Sequence, residues 1–245
     1  MQSVNYLENM RNGIEASRHI VCLLGRNVSA DCGCFNYWDS EGAYAVETNY
    51  GYSPEEIFSA SFYNTRPKLF FDYYHNEILD KMGKPGEEFR VLKRMEDERK
   101  IFAVITRSIY GLPRRAGMRN VVEMHSSVYE NKCSHCGTWY DLDFMKNASG
   151  VPFCPKCGAV VRPQIVLDGE MIPNEKITAS ANEVARADTL LILGCTLRST
   201  LARGAIKYFS GSRIILINEE EDYSDSVADL VCHGKPRDVL PKVYG

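Results

Sequence analysis

The segment CSHCGTWYDLDFMKNASGVPFCPKCG constrains this chain more than any other. It places Cys133 and Cys136 in one C-x-x-C knuckle and Cys154 and Cys157 in a second, with 17 residues between the two. Four thiolates at this spacing close a tetrahedral zinc site; four buried free thiols are the other reading of the same residues. A ribbon this short cannot build a core of its own, so the metal supplies its folding free energy. No ligand position is left open, which makes the expected zinc, one per chain, structural rather than catalytic. Gly137 and Gly158 each follow a knuckle, where a tight turn brings backbone amides towards the sulfurs. His135 lies inside the first knuckle, but the four cysteines suffice and it reads as solvent-facing. Cys22, Cys32, Cys34, Cys195 and Cys232 fall outside the pattern and read as small buried hydrophobes.

Nine cysteines is an odd count, and the polar start MQSVNYLENMRNGIEASRH lacks the apolar core of a secretory signal. The expectation is a reducing, cytoplasmic compartment without disulfides. A net charge of −3 gives no bulk electrostatic support for binding nucleic acid or a membrane surface. No apolar run reaches the length of a membrane span. The 245 residues suit one large domain, or one and a half.

Outside the ribbon, apolar runs without internal alternation read as buried strands at 20–24, 101–105, 189–193 and 213–217. Shorter strands are expected in NVVEMHSS, ending near His125, and near 230–232. Helices are expected over 3–18, over 53–82 in two pieces, and over 87–97. Ser53 is the N-cap of the first piece, with Pro54, Glu55 and Glu56 in its first turn, and Pro67 opens the second. Such alternation argues a parallel sheet covered on both faces, with ligands beyond the carboxyl ends of the strands. Gly25, Thr106, His125, Gly194 and Asn218 fall at those ends.

The first strand runs into LLGRNVSADCG. This is where a phosphate-cradling loop belongs, yet Arg26 and Asn27 stand where glycines usually let a backbone approach a pyrophosphate. The stretch reads as a phosphate loop, a broken one, or an ordinary strand end.

Taken in order, the turn at Gly25, the strand ending at Thr106, His125, the four-cysteine ribbon, RPQIVLDGE, GCTL and the IN at 217–218 resemble the sirtuin family, the NAD-dependent protein lysine deacylases. The resemblance spans roughly residues 10–243. Its most specific part is the ribbon followed by Arg162, Pro163, Gly169, Glu170 and Pro173. It implies an α/β fold: a Rossmann-like parallel sheet with helices on both faces, from residues 1–33, 86–127 and 166–245. A smaller inserted domain would comprise a helical part, 34–85, and the zinc ribbon, 128–165. It further implies that NAD binds the larger domain, that an acyl-lysine of a protein substrate enters between the domains, and that the histidine resembled by His125 acts as general base toward a ribose hydroxyl. Neutral imidazole suits proton removal near pH 7; a strand-end histidine bonded to backbone is the plainer reading. Cofactor contacts would fall to Gly25, Ser29, Gly33, Thr106, Gly194, Thr196 and Asn218.

The motifs also depart from the family. Where it has Gly-Ala-Gly-Ile-Ser and then Gly-Ile-Pro-Asp-Phe-Arg, Gly25, Ser29 and Gly33 match, but the second loop glycine is Asn27 and the arginine is Trp38. Where it has Thr-Gln-Asn-Ile-Asp-x-Leu-His, this chain has TRSIYGLP. Arg107, Ser108 and Tyr110 replace the glutamine, asparagine and aspartate of the nicotinamide pocket. Two unit charges ~5 Å apart at an effective dielectric of ~20 repel by about 3 kcal/mol, so an arginine aimed at the departing nicotinamide would slow cleavage by roughly two decades. Ser126 replaces the glycine beside the histidine, Asp168 the aromatic before GE, and Leu201 a proline. The expectation is a degenerate nicotinamide pocket with deacylation weak or absent. The alternatives are a non-deacylating sirtuin-fold protein binding ADP-ribose or another anionic nucleotide through Arg26 and Arg107, and a zinc-ribbon nucleic-acid binder. The last is disfavoured by a ribbon that is not notably basic.

The ribbon generates the first prediction. Metal analysis of protein purified without chelator is expected to give one zinc per chain, and Cys154→Ser should release it and destabilise the smaller domain.

Overall fold

The computed structural model describes residues 2–36 and 39–245. Tyr37 and Trp38 lie outside the described residues, and so does the reading made for Trp38. Six strands form one parallel sheet: β1 (Ile20–Leu24), β2 (Ile101–Thr106), β3 (Val121–Glu123), β7 (Thr189–Leu193), β8 (Arg213–Asn218) and β9 (Leu230–His233). Three short strands form a second, antiparallel sheet: β4 (Asn131–Cys133), β5 (Trp139–Tyr140) and β6 (Val161–Pro163). The large sheet has the order β3-β2-β1-β7-β8-β9, so the chain leaves β1 on one side, returns, and builds outward on the other. Ligands of such sheets sit at this reversal, beyond the ends of β1 and β7.

Every residue of β1 and β7 is buried, which explains their lack of alternation. Odd and even positions still face opposite layers. Ile20, Cys22, Leu24, Leu191, Leu193, Ile215 and Ile217 pack with Met10, Ile14, Phe89, Leu92 and Leu240 from helices Gln2–Ala16, Glu87–Asp97 and Pro236–Val243. Val21, Leu23, Leu190, Ile192 and Leu216 pack with Val184, Leu201 and Ala202 from helices Asn174–Arg186 and Thr200–Ile206.

The stretch expected to hold two helical pieces holds more. Helix Pro54–Ile57 is capped by Ser53 as expected, but Ser59 starts a new helix, Ala60–Thr65, by accepting from the Phe62 amide at 3.2 Å. Pro67 opens Pro67–Tyr73, and a π-helical turn, Tyr74–Leu79, completes the segment. A buried aromatic cluster of Phe62, Phe70, Phe71, Tyr73 and Tyr74 holds these pieces together. No described helix is long and apolar enough to cross a membrane.

The turn after β1 is neither an open loop nor a plain strand end. Helix Arg26–Asp31 begins at once, with Gly25 as its N-cap. Gly25 N–H donates to the Leu193 carbonyl at 2.8 Å, and Asn27 N–H to the Gly194 carbonyl at 3.1 Å. A Cβ on Gly25 would stand 2.3 Å from both the Gly194 oxygen and Cys195 Cβ. Gly194 has φ +65° and faces Val28, whose amide nitrogen would be 2.9 Å from an added Cβ. The two glycines thus let the ends of β1 and β7 close on each other.

Gly25→Ala should therefore destabilise the fold by about 2–3 kcal/mol, the overpacking cost where backbone and not a flexible side chain must yield. A lowered urea midpoint at unchanged slope is the expected result.

Candidate functional site

Parallel pairing places the sequence-predicted residues at one edge. Leu24 pairs with Thr106 and Leu193, Thr106 with Glu123, and Leu193 with Ile217. Gly25, Thr106, Gly194 and Asn218 therefore sit side by side, and His125 follows two residues beyond β3. The loops meet across this edge. Ser29 Oγ donates to Ser108 Oγ at 2.8 Å, and Asn27 Nδ2 approaches Asn218 Oδ1 at 3.5 Å. Thr106 Oγ1 donates to the Leu24 carbonyl and accepts from the Ser108 amide at 3.0 Å. Asn218 is buried, its Nδ2 bonded to the Glu220 carbonyl at 2.8 Å. Thr196 is half-buried in the turn after β7, and Gly33 has φ +80° just after helix Arg26–Asp31.

His125 is half-buried and doubly fixed. Its carbonyl accepts from the Val166 amide at 3.1 Å. Its Nε2 accepts from Arg107 Nε at 2.9 Å, while Arg107 Nη1 donates to Thr200 Oγ1. Burial, then the charges of Arg107 and Lys176, hold the imidazole down at about 4, so it is neutral near pH 7. Lys176 Nζ donates to Ser126 Oγ at 2.6 Å. Ser126 has φ +58°, the left-handed conformation that glycine adopts freely, so the turn beside His125 keeps its shape although a serine occupies it.

The arginine fork expected across an anionic ligand is not how Arg107 stands: it spans from His125 to Thr200. Arg26 is exposed at the first position of its helix, and its charge acts to lower the Cys195 thiol against the larger effect of burial. Tyr110 is buried, and its hydroxyl donates to the Phe35 carbonyl at 3.0 Å, tying the second loop to the far end of the first. Neither Thr200 nor Lys176 stood out in the sequence; both come from helices distant along the chain, and no local motif marks them.

Below His125 runs the segment RPQIVLDGE. Arg162 Nη2 donates to both Glu170 oxygens at 2.6 and 2.7 Å, and Glu170 Oε2 also accepts from the Leu167 amide at 3.0 Å. Asp168 N–H donates to the Phe58 carbonyl at 3.1 Å and Ala60 N–H to the Asp168 carbonyl at 2.9 Å. One strap thus bridges His125 to the helical insert.

The ribbon gathers its four cysteines as the spacing requires. Donor sulfurs of Cys133, Cys136, Cys154 and Cys157 all lie within 4.8 Å of one another. A tetrahedron with ~2.3 Å zinc–sulfur bonds has sulfurs ~3.8 Å apart, so the cluster fits a structural zinc. Hydrogen bonding with Thr138 pushes the Cys136 thiol down, towards the thiolate a metal needs, whereas Cys157 of the same cluster is pushed up. Gly137 and Gly158 take φ +69° and +76° behind the two knuckles, and His135 is exposed.

The profile of the Sir2 family matches residues 25–200. A protein named NAD-dependent protein deacetylase from Clostridium perfringens is 35% identical over 97% of this chain and 98% of its own. One of the same name from Clostridium acetobutylicum is 32% identical over 99% of this chain and 100% of its own. Among solved structures, one concerned with sirtuin substrate affinity superposes with TM-score 0.86 at 27% identity, over 96% of this chain and 97% of that one. A Sir2 homologue–NAD complex gives 0.85 at 26%, over 97% and 92%.

The environment of His125 carries a stability signature. Its folded-state value lies below the ordinary 6.5, so the unfolded chain binds more protons between about pH 6.5 and 4, and stability falls as pH drops through that window. The full shift is worth about 3 kcal/mol. Denaturant titrations should show His125→Gln losing less stability than the unaltered protein over that range, with both equal near pH 7.5 apart from a constant offset.

Proposed function

The chain belongs to the Sir2 family, and from that premise we propose that it is an NAD-dependent protein lysine deacylase with His125 as its general base. One observation carries the reading: the glycines, hydroxyls and amide of the resemblance meet His125 at a single sheet edge, over the reversal of strand order. Gly25, Ser29, Gly33 and Thr106 are assigned to one half of the dinucleotide, and Gly194, Thr196 and Asn218 to the adenosine half. The dinucleotide, when bound, supplies the ribose carbon that takes the acyl oxygen as nicotinamide leaves. His125 then accepts the proton of a ribose hydroxyl at Nε2, the nitrogen whose lone pair is unprotonated near pH 7. The acyl-lysine of a protein substrate would enter where the Asp168 strap lies between His125 and the helical insert.

The same reading assigns residues 1–33, 86–127 and 166–245 to the nucleotide-binding domain, and 34–85 with 128–165 to the smaller one. All six strands of the large sheet fall in the first set and all three of the ribbon sheet in the second, which supports these bounds. The four ribbon cysteines are gathered as metal ligands rather than as disulfide pairs, which supports a reducing, cytoplasmic setting.

A second reading, weak turnover through a degenerate nicotinamide pocket, rests on Arg107: its cation stands on the base itself, on the loop where the family has uncharged amides. The deacetylase names of the relatives do not favour it, nor the non-deacylating nucleotide binder.

The test is nicotinamide release from NAD with an acetyl-lysine peptide. Turnover is expected, with His125→Ala reducing it by about 10²-fold or more. Turnover that is weak, and that rises when Gln, Asn and Asp replace residues 107, 108 and 110 together, would establish the second reading; no turnover in either protein would defeat the first.

A further inference from the structure

We propose that Arg107 is a positioning residue that caps the base: it occupies the proton-accepting nitrogen of His125 in the ligand-free protein and is drawn off by the diphosphate of the bound nucleotide. The proposal rests on the deacylase reading for its ligand, and on geometry for the cap.

A general base needs a free lone pair. The only lone pair of a neutral imidazole with its proton on Nδ1 is at Nε2, and Arg107 Nε donates to that atom at 2.9 Å. While this bond stands, Nε2 cannot take a proton from a ribose hydroxyl. Thr200 holds the other arm of the guanidinium through Nη1, so the cap is braced from helix Thr200–Ile206 as well as from the loop after β2. The charged groups facing His125 are both cations: Arg107, and Lys176 from helix Asn174–Arg186. Glu123, two residues earlier, accepts from Arg114 Nε at 3.1 Å through Oε2, its Oε1 is buried without a partner, and it is not among the charges acting on His125. Among the described residues no carboxylate is paired with Arg107 at the base.

A phosphate would compete. Arg107 is exposed, and two of its five donors are used. It follows Thr106 directly, and its neighbour Ser108 touches Ser29 on helix Arg26–Asp31, so its backbone belongs to the loop that meets the turn where a dinucleotide's phosphates approach, within reach of its long side chain. A phosphate offers the guanidinium an opposite charge and a bidentate geometry that the neutral imidazole and the threonine hydroxyl lack, which favours the exchange. Binding of the nucleotide would then uncap the base, and the charge that opposed its protonation would be neutralised in the same step.

The experiment is an NMR pH titration of the His125 ring proton in the zinc-loaded protein, for the unaltered chain, Arg107→Gln and Arg107→Lys, each alone, with saturating ADP-ribose, and with adenosine. Without ligand the unaltered protein is expected to titrate near 4, Arg107→Gln at least one unit higher, and Arg107→Lys, which keeps the charge but not the fork, between them. ADP-ribose should raise the unaltered protein's midpoint by a unit or more and leave Arg107→Gln where it is; adenosine, which has no phosphate, should move neither. Equal midpoints in the ligand-free unaltered and Arg107→Gln proteins overturn the cap. An equal shift with adenosine overturns release by the diphosphate. Failure of ADP-ribose to bind overturns the nucleotide reading and the release step with it, while the cap still stands or falls on the ligand-free pair.

Discussion

The close approach of Gly25 to Gly194 is the constraint on which the site depends. Parallel strands diverge where they end unless their turns are held, and here two amide-to-carbonyl bonds cross from the β1 turn to the β7 turn. The absence of side chains at both positions permits the contact, since a methyl group on Gly25 would lie inside the neighbouring carbonyl. Helix Arg26–Asp31 starts from that junction, and its position brings Asn27 to Asn218 and Ser29 to Ser108. The glycine that resembles a phosphate-loop residue thus has a complete structural reason to be glycine before any ligand is considered.

A second dependence runs through the strap from Arg162 to Glu170. Its clasp is an arginine–carboxylate pair with both carboxylate oxygens engaged, closed further by the Leu167 amide. The clasp ties the two ends of the segment together, and between them Val166 bonds to His125 on one side and Asp168 pairs with Ser59 on the other. β6, which begins this segment, pairs with β4, which ends in the first zinc-ligand cysteine. The metal cluster is therefore mechanically continuous with the backbone of His125. Loss of zinc would loosen β4 and β6 first, and through them the strap.

The fold was largely legible because its strands are buried on both faces and their apolar runs end at glycine or a polar residue. The four cysteines were legible because metal geometry restricts spacing. Less of the site could be read. The helical insert divides at Ser59 because that side chain caps a new turn, and a serine within a long apolar stretch gives little sign that it will do so. Tyr110 reads as the loss of a carboxylate, whereas the structure shows a hydroxyl anchored on Phe35 from a buried ring. Arg107 reads either as a cation facing a ligand or as a solvated or paired side chain; its actual acceptors, His125 and Thr200, lie 18 and 93 residues away, beyond the reach of any local pattern.

Ser126 shows how backbone shape and side-chain chemistry separate in this site. A left-handed serine costs of the order of 1 kcal/mol relative to glycine, and the surrounding contacts must outweigh it. They do so on both sides of the residue: its amide donates to the Glu123 carbonyl at 3.0 Å, and its hydroxyl accepts from Lys176. The turn beside His125 is thereby held, and its serine takes an ammonium partner that a glycine could not hold. Lys176 and Arg107 then act in the same direction on the imidazole, each favouring its neutral form. A base surrounded by cations is a weaker proton acceptor but is always deprotonated at neutral pH. Under the proposed capping by Arg107, anionic charge entering the cleft would restore its basicity, so Arg107 and Lys176 would tie the strength of the base to occupancy of the nucleotide site.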